Sequence, residues 1–162
     1  PADVTALASN IDFFPTLAEL AGAKLSREVQ AQVEGRSLVP LLRNPTAPWP
    51  DRILFTHVGR WRNGQAAQAK YVNCSVRNSR WQLVCASESG AKQWQLFDVK
   101  ADPGEWKDVA ALHPEVVKEL DAAYDKWWDS VQPQLVNENA VGPKVRPYEE
   151  LYWKQFGGGP EK

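Results

Sequence analysis

The residues best suited to chemistry lie in Thr56-His-Val-Gly-Arg-Trp-Arg-Asn-Gly64. His57, Arg60, Trp61 and Arg62 place an imidazole, an indole and two guanidiniums at the end of a predicted strand and in the loop that follows. Guanidiniums pair with oxyanions through a planar fork of donors, and an indole offers a flat apolar face, so the set suits an anionic or sugar ligand. The competing reading is a solvated hairpin loop whose histidine bonds locally.

Other clusters read as structure. Asp98, Asp102, Glu105 and Asp108 form a carboxylate run, but it lacks the alternating order of a calcium loop, and Asp102-Pro-Gly-Glu105 is a turn sequence. His113 stands just before Pro114 and reads as a helix-start residue. His57 and His113 are far apart and lack cysteine or histidine neighbours, so metal-ligand spacing is absent and no metal site is expected. Gly157-Gly-Gly159 precedes no helix, which excludes a phosphate-binding loop, and no G-x-S-x-G elbow is present. Cys74 and Cys85 have no adjacent base and are expected to be inert, so no catalytic residue is assigned.

The elements that must position the loop follow from periodicity. Strands are expected near 52–58, 68–76, 80–86 and 93–98. Arg77-Asn-Ser-Arg80 is a hairpin signal, and with Asn78-Ser79 as the loop it pairs Val76 with Trp81, Cys74 with Leu83 and Val72 with Cys85. In that register the cysteines share one face diagonally, Cβ atoms about 7 Å apart, and free thiols are expected. A loop at Ser79-Arg80 would set them directly opposite and favour a disulfide. The strongest helix spans 114–131, opened by Pro114 and ended by Pro133. Its stripe of Val116, Val117, Leu120, Ala123, Tyr124, Trp127, Trp128 and Val131 is expected to bury against the sheet face carrying Val72, Cys74, Val76, Trp81, Leu83 and Cys85. Short helices are expected over 10–22 and 37–43, with a polar, mobile stretch at 23–36 between them. Three prolines break the chain at 44–50. Residues 132–162 read as an irregular arm that packs through Tyr148, Leu151, Tyr152, Trp153 and Phe156.

The resulting fold class is α+β, a four-stranded antiparallel sheet with a long helix on one face. At 162 residues one domain is the default, divided into a helical segment (1–50), sheet and helix (51–131) and C-terminal arm (132–162). A net charge of -1 argues against nucleic-acid binding, and no apolar run reaches the ~20 residues of a membrane span. There is no methionine and there are 8 tryptophans; the first fact suggests a piece of a longer protein, the second an aromatic-rich core.

Asn10-Ile-Asp-Phe-Phe-Pro-Thr-Leu-Ala-Glu-Leu-Ala-Gly22, Glu34-Gly-Arg-Ser-Leu-Val-Pro-Leu-Leu42, Arg52-Ile-Leu-Phe-Thr-His57, Leu96-Phe-Asp-Val-x-x-Asp-Pro-Gly-Glu105 and His113-Pro-Glu-Val-Val117 follow one another in this order. That order resembles the C-terminal third of the type I, formylglycine-dependent sulfatases of the arylsulfatase kind. The resemblance implies a sulfuric ester hydrolase as parent, with calcium and formylglycine as its cofactors. It also implies an N-terminal catalytic domain as partner, a sulfated small molecule or glycan as substrate, and a periplasmic or secreted location. Neither cysteine stands in C/S-x-P-x-R, because Val76 and Ser87 occupy the proline position. The chain alone is therefore expected to hold no cofactor and to be inactive, completing the fold and bordering the cleft, with His57, Arg60, Trp61 and Arg62 as substrate contacts. Two alternatives stand beside this one: a carbohydrate-binding or interaction module using Trp61, Trp94 and Trp106, and a related phosphohydrolase of the alkaline phosphatase superfamily.

Overall fold

The computed structural model describes residues 3–135 and 141–159. A 3-10 turn at Asn10–Asp12 leads into α1 (Phe13–Leu20), followed by α2 (Arg27–Gln32) and α3 (Val39–Arg43). Strands β1 (Leu54–His57), β2 (Cys74–Arg77), β3 (Trp81–Cys85) and β4 (Gln95–Asp98) form one antiparallel sheet in chain order. Then come α4 (Pro114–Leu135) and α5 (Pro147–Phe156). The α+β class holds, with the long helix on one sheet face.

That face is the core. Cys74, Val76, Leu83, Cys85 and Leu96 meet Leu120, Tyr124 and Trp128 of α4, and all are buried. The three helix residues recur every fourth position, so their side chains stack along one stripe. Each large apolar side chain buried there contributes about 1.5–3 kcal/mol. Trp127, half-buried beside the stripe, stacks on Phe55 with centroids 5.1 Å apart. A polar flank ties the helix down as well: Asp125 accepts from Tyr71 Oη and pairs with Lys70, both at 2.8 Å, and Asp121 accepts from Trp94 Nε1 at 2.8 Å.

The hairpin register differs from the expected one. Val76 pairs with Leu83 and Cys74 with Cys85, so Ser79-Arg80 is the loop. Asn78 closes the turn instead of crossing it: its Oδ1 accepts from the Arg80 and Trp81 N–H groups at 2.9 and 2.7 Å, and its own N–H donates to the Trp81 carbonyl at 3.0 Å. Asparagine at the first position of a turn supplies this bond routinely. Each partner moves by two residues, an even number, so every side chain keeps its face. The cysteines now lie directly opposite one another, yet both are free and buried thiols.

Four further boundaries depart from expectation. Residues 67–69 form a 3-10 turn rather than strand, and the sheet resumes only after Asn73, whose φ of 44° lies in the left-handed region that asparagine tolerates. The stretch at 23–36 contains α2, capped by Ser26, whose Oγ accepts from the Val29 N–H at 3.3 Å. Helix α4 runs through Pro133 to Leu135; a proline in the last turn forfeits one backbone bond and leaves the helix otherwise intact. The C-terminal arm is helical over α5, opened by Pro147 with Glu149 and Glu150 in its first turn and closed by Gly157 at φ 78°. Tyr148, Leu151, Tyr152 and Phe156 of that helix are exposed rather than packed. The expectation for residues 136–140 lies outside the described residues.

Candidate substrate-binding loop

Strand β1 ends at His57, and the chain turns at Gly59, whose φ of 62° belongs to the left-handed region glycine adopts freely. The Gly59 N–H donates to His57 Nδ1 at 2.8 Å, and His57 Nε2 lies 2.8 Å from the Ala69 carbonyl. Because Nδ1 accepts, Nε2 carries the proton and donates to Ala69, which assigns the neutral tautomer from its partners. The imidazole thereby clamps the loop to the 3-10 turn at Ala67–Ala69. Its ring packs against Trp128 at 4.7 Å, and Trp61 meets both rings edge-on at 6.0 and 6.1 Å.

Trp61 is accordingly a half-buried wedge that roots the loop in the core. Arg60 and Arg62 flank it and are exposed, and neither guanidinium has a hydrogen bond or ion pair among the described residues. The four residues singled out in the sequence thus divide by position: His57 and Trp61 hold the loop, and Arg60 and Arg62 present two positive charges to solvent. Such a pair can receive an oxyanion through charge-assisted bonds. Of the other tryptophans considered as a platform, Trp94 is half-buried with its Nε1 on Asp121, and Trp106 is 90% exposed.

Sequence reasoning missed a second feature. A groove of about 830 Å³ runs around the β1 edge of the sheet, lined by Leu54, Ser75 and Gln82 from the sheet, by Ile11 and Arg52, and by Trp127 and Leu135 of α4. Arg52 Nε and Gln82 Oε1 are buried there without a hydrogen-bond partner among the described residues. Gln82 alternates with Trp81 and Leu83, a polar position in an otherwise apolar strand, and that was its one signal.

The carboxylate run and the cysteines serve the fold. Asp98 Oδ1 accepts from the Lys100 and Ala101 N–H groups, Asp102 from Lys107, and Asp108 from Leu96 and Ala110. Glu105, at φ 54°, completes the corner. Burial pushes the Cys74 thiol up to about 11, the reverse of an activated nucleophile.

A helical segment locked onto a four-stranded antiparallel sheet, with one long helix across its face, is the architecture of a sulfatase C-terminal subdomain. Residues 2–129 match the family model for N-sulphoglucosamine sulphohydrolase, C-terminal, and the chain belongs to that family. It is 27% identical over 157 residues to Arylsulfatase K of Rattus norvegicus, covering 94% of this chain and 25% of that protein. It is 36% identical over 104 residues to the Choline-sulfatase of Rhizobium meliloti (strain 1021), covering 63% of this chain and 17% of that protein. Among solved structures it resembles Ps i-CgsB, determined in complex with k-i-k-neocarrahexaose. The TM-score is 0.57 at 24% identity, over 89% of this chain and 28% of that one, a likeness of fold. The chain spans about a quarter of the length of the curated relatives it matches.

The calcium and formylglycine that the family implies do not fit the residues present. Among the described residues no group of three or more His, Cys, Asp or Glu could hold a metal ion. The two cysteines are core residues facing α4.

Proposed function

We propose that this chain is the C-terminal portion of an arylsulfatase-like sulfuric ester hydrolase, where it completes the fold and borders the substrate cleft. In the full-length protein, calcium and formylglycine, held by residues outside this chain, would supply charge stabilisation and the nucleophile. This portion supplies positioning. Arg60 and Arg62 hold the anionic or organic part of a sulfated small molecule or glycan, on a loop that His57 clamps and Trp61 roots. The observation that carries this reading, beyond family membership, is the pair of exposed guanidiniums, without a hydrogen bond or ion pair among the described residues, on a loop that His57 and Trp61 hold to the core. The parent acts in the periplasm or outside the cell, as sulfatases often do.

Replacing His57, Arg60 and Arg62 together by alanine in the full-length protein is expected to lower kcat/KM for a sulfate ester by at least about 100-fold, since each of the two arginines loses a charged hydrogen bond of ~1.5–3 kcal/mol. The Arg60→Ala, Arg62→Ala pair should act mainly through KM. An unchanged kcat/KM removes the substrate contact. Turnover of an aryl sulfate by the 162-residue chain alone would refute its dependence on the catalytic domain. Faster hydrolysis of the matching phosphate ester by the full-length protein would reassign it to the phosphohydrolases.

A further inference from the structure

Arg77 ends β2 with an exposed guanidinium, and Lys100 is exposed in the turn after β4; neither side chain has a hydrogen bond or ion pair among the described residues. Both line a groove of about 390 Å³ beside the hairpin turn, walled by Leu7, Trp49 and Val99. Arg77 and Leu7 also line the larger groove at the β1 edge, which reaches His57 and Gly59 at the foot of the loop that carries Arg60 and Arg62. The two grooves therefore join at Arg77. Leu54 pairs with Arg77 and His57 with Cys74, so three residues of extended chain, about 10 Å, separate Arg77 from the end of β1. Between these ends Thr56 and Ser75 are cross-strand partners, and neither hydroxyl has a hydrogen bond among the described residues. Carboxylates do not cancel the positive charge of the track. Asp12 matches Arg52, and the Asp51 carboxylate is taken up by the Arg52 N–H, the Ser79 N–H and the Ser79 hydroxyl at 2.9, 3.0 and 2.8 Å. Arg36, Arg77 and Lys100 then stand against Glu34 and Asp51.

We propose that Arg77 and Lys100 form a distal anion-binding site, which takes a sulfate or carboxylate of an extended polyanionic saccharide whose other end rests on Arg60 and Arg62. The inference rests on the sulfatase reading given above and narrows its substrate from a sulfated small molecule or glycan to an oligosaccharide that reaches both ends of the track. The chemistry follows from what lines it. Oxyanions answer the unpaired guanidinium and ammonium groups, and sugar hydroxyls, which both donate and accept, answer Thr56 and Ser75 in between. A single sugar ring is shorter than the track. A flat anionic membrane cannot enter a concave one.

The test is calorimetric titration of the full-length protein with heparin-derived and carrageenan-derived hexasaccharides, their disaccharides and neutral cellohexaose. At least one sulfated hexasaccharide should bind about 10-fold or more tightly than its disaccharide, which cannot reach both ends, and cellohexaose should not bind at the same concentrations. Arg77→Ala and Lys100→Ala should each weaken that binding at least about 10-fold, and the pair at least about 100-fold. Lys126→Ala, which removes one exposed charge from α4, should leave it unchanged. If Arg77→Ala fails to fold, Lys100→Ala in its exposed turn carries the test alone. Equal affinity for hexasaccharide and disaccharide, no binding of either hexasaccharide, or binding that the Lys100 substitution leaves unchanged overturns the proposal. An equal loss from Lys126→Ala reduces the effect to overall charge and overturns it too. Hydrolysis of para-nitrophenyl sulfate by the unsubstituted protein separates this inference from the functional reading. Turnover with hexasaccharide binding that ignores Arg77 and Lys100 removes the distal site alone, whereas binding that depends on them, without turnover of any sulfate ester, removes the sulfatase activity and keeps the site.

Discussion

Asp12 and Arg52, forty positions apart in the chain, form a buried ion pair that joins the helical segment to the sheet. Asp12 is fully buried and each of its oxygens accepts twice: Oδ1 from Arg52 Nη1 and the Arg36 N–H, both at 2.8 Å, and Oδ2 from Arg52 Nη2 and, at 2.8 Å, the Ser9 N–H. Burial works to raise its pKa, but the hydrogen bonds from Arg52, Arg36 and Ser9 outweigh it and hold the carboxyl at about 2, against 3.8 ordinarily. A carboxyl held low in the folded state contributes stability that is complete above pH 3.8 and is lost as pH falls through about 2. The contribution is about 2 kcal/mol. Urea unfolding of the chain from pH 6 down to pH 2 is expected to show this loss, and Asp12→Asn should remove most of its pH dependence.

Removing the other partner is expected to be worse than removing the carboxylate. Arg52→Ala leaves a buried charge that keeps two backbone donors but loses its counter-ion, at a cost of about 3–5 kcal/mol. Arg52 Nη2 also donates to the Leu7 carbonyl at 3.2 Å, and its guanidinium lies over the Trp49 ring at 5.8 Å. Arg52→Lys should therefore recover part of the loss and not all of it. The urea midpoints of the three proteins at pH 7 order the effect, and equal midpoints would contradict it.

At the other end of the pH scale, the core pair of Cys74 and Tyr124 limits stability. Burial pushes the Cys74 thiol up to about 11 from 9.0. Burial, reinforced by Cys74, raises the Tyr124 hydroxyl well above the ordinary tyrosine value; that hydroxyl donates to the Lys70 carbonyl. Both groups stay protonated in the folded chain while the unfolded chain ionises. Stability is therefore whole below pH 9, falls by about 2 kcal/mol as pH climbs from 9 towards 11 through Cys74, and falls further above 10 through Tyr124. Cys74→Val should remove the component that begins near pH 9 and spare the later one. In the native chain at pH 8 neither thiol should react with a maleimide, and both should titrate after unfolding without reductant.

Much of this fold was legible because its signals are local and agree with one another. The stripe of Leu120, Tyr124 and Trp128 and the alternation of Val76, Leu83 and Cys85 each point to one face, and a two-residue slip in pairing cannot disturb that. The slip itself was not legible: Asn78 and Ser79 both suit a loop position, and the choice rests on Asn78 Oδ1 and on Asp51, which accepts from the Ser79 N–H at 3.0 Å from 28 residues away. In the binding loop, composition singled out His57, Arg60, Trp61 and Arg62, but not that His57 has both nitrogens engaged by backbone. That depends on the Ala69 carbonyl, which a 3-10 turn presents where an extended strand was expected. Helix α5 was hidden by its aromatics, which resemble packing residues although Tyr148, Tyr152 and Phe156 are exposed.

The turn at Asn78 offers a direct check of that argument. Asn78→Ala removes the acceptor for two backbone N–H groups, those of Arg80 and Trp81, and is expected to cost about 1–2 kcal/mol, the range for loss of a side-chain cap. Asn78→Asp keeps the acceptor and should stay close to the parent. If the turn instead crossed Asn78-Ser79, the two substitutions would be nearly equivalent. Urea midpoints distinguish these results.

Gly35 tests why Glu34-Gly-Arg-Ser stands at a fixed place relative to Asn10-Ile-Asp. A Cβ at residue 35 would collide with the backbone carbonyl of Ile11, so Gly35 is the position where the 34–38 strand of chain passes flush against the turn that carries Asp12. The next residue, Arg36, donates its N–H to Asp12 Oδ1, and any displacement at 35 pulls that donor away. Gly35→Ala is therefore expected to cost about 3 kcal/mol, the upper part of the range for overpacking, although it removes no hydrogen-bonding group. Because it acts on the same junction as Arg52→Ala, the double variant should lose less than the two single losses combined. Additive losses in the urea midpoints would mean that Gly35 and the Asp12 to Arg52 pair hold separate parts of the molecule.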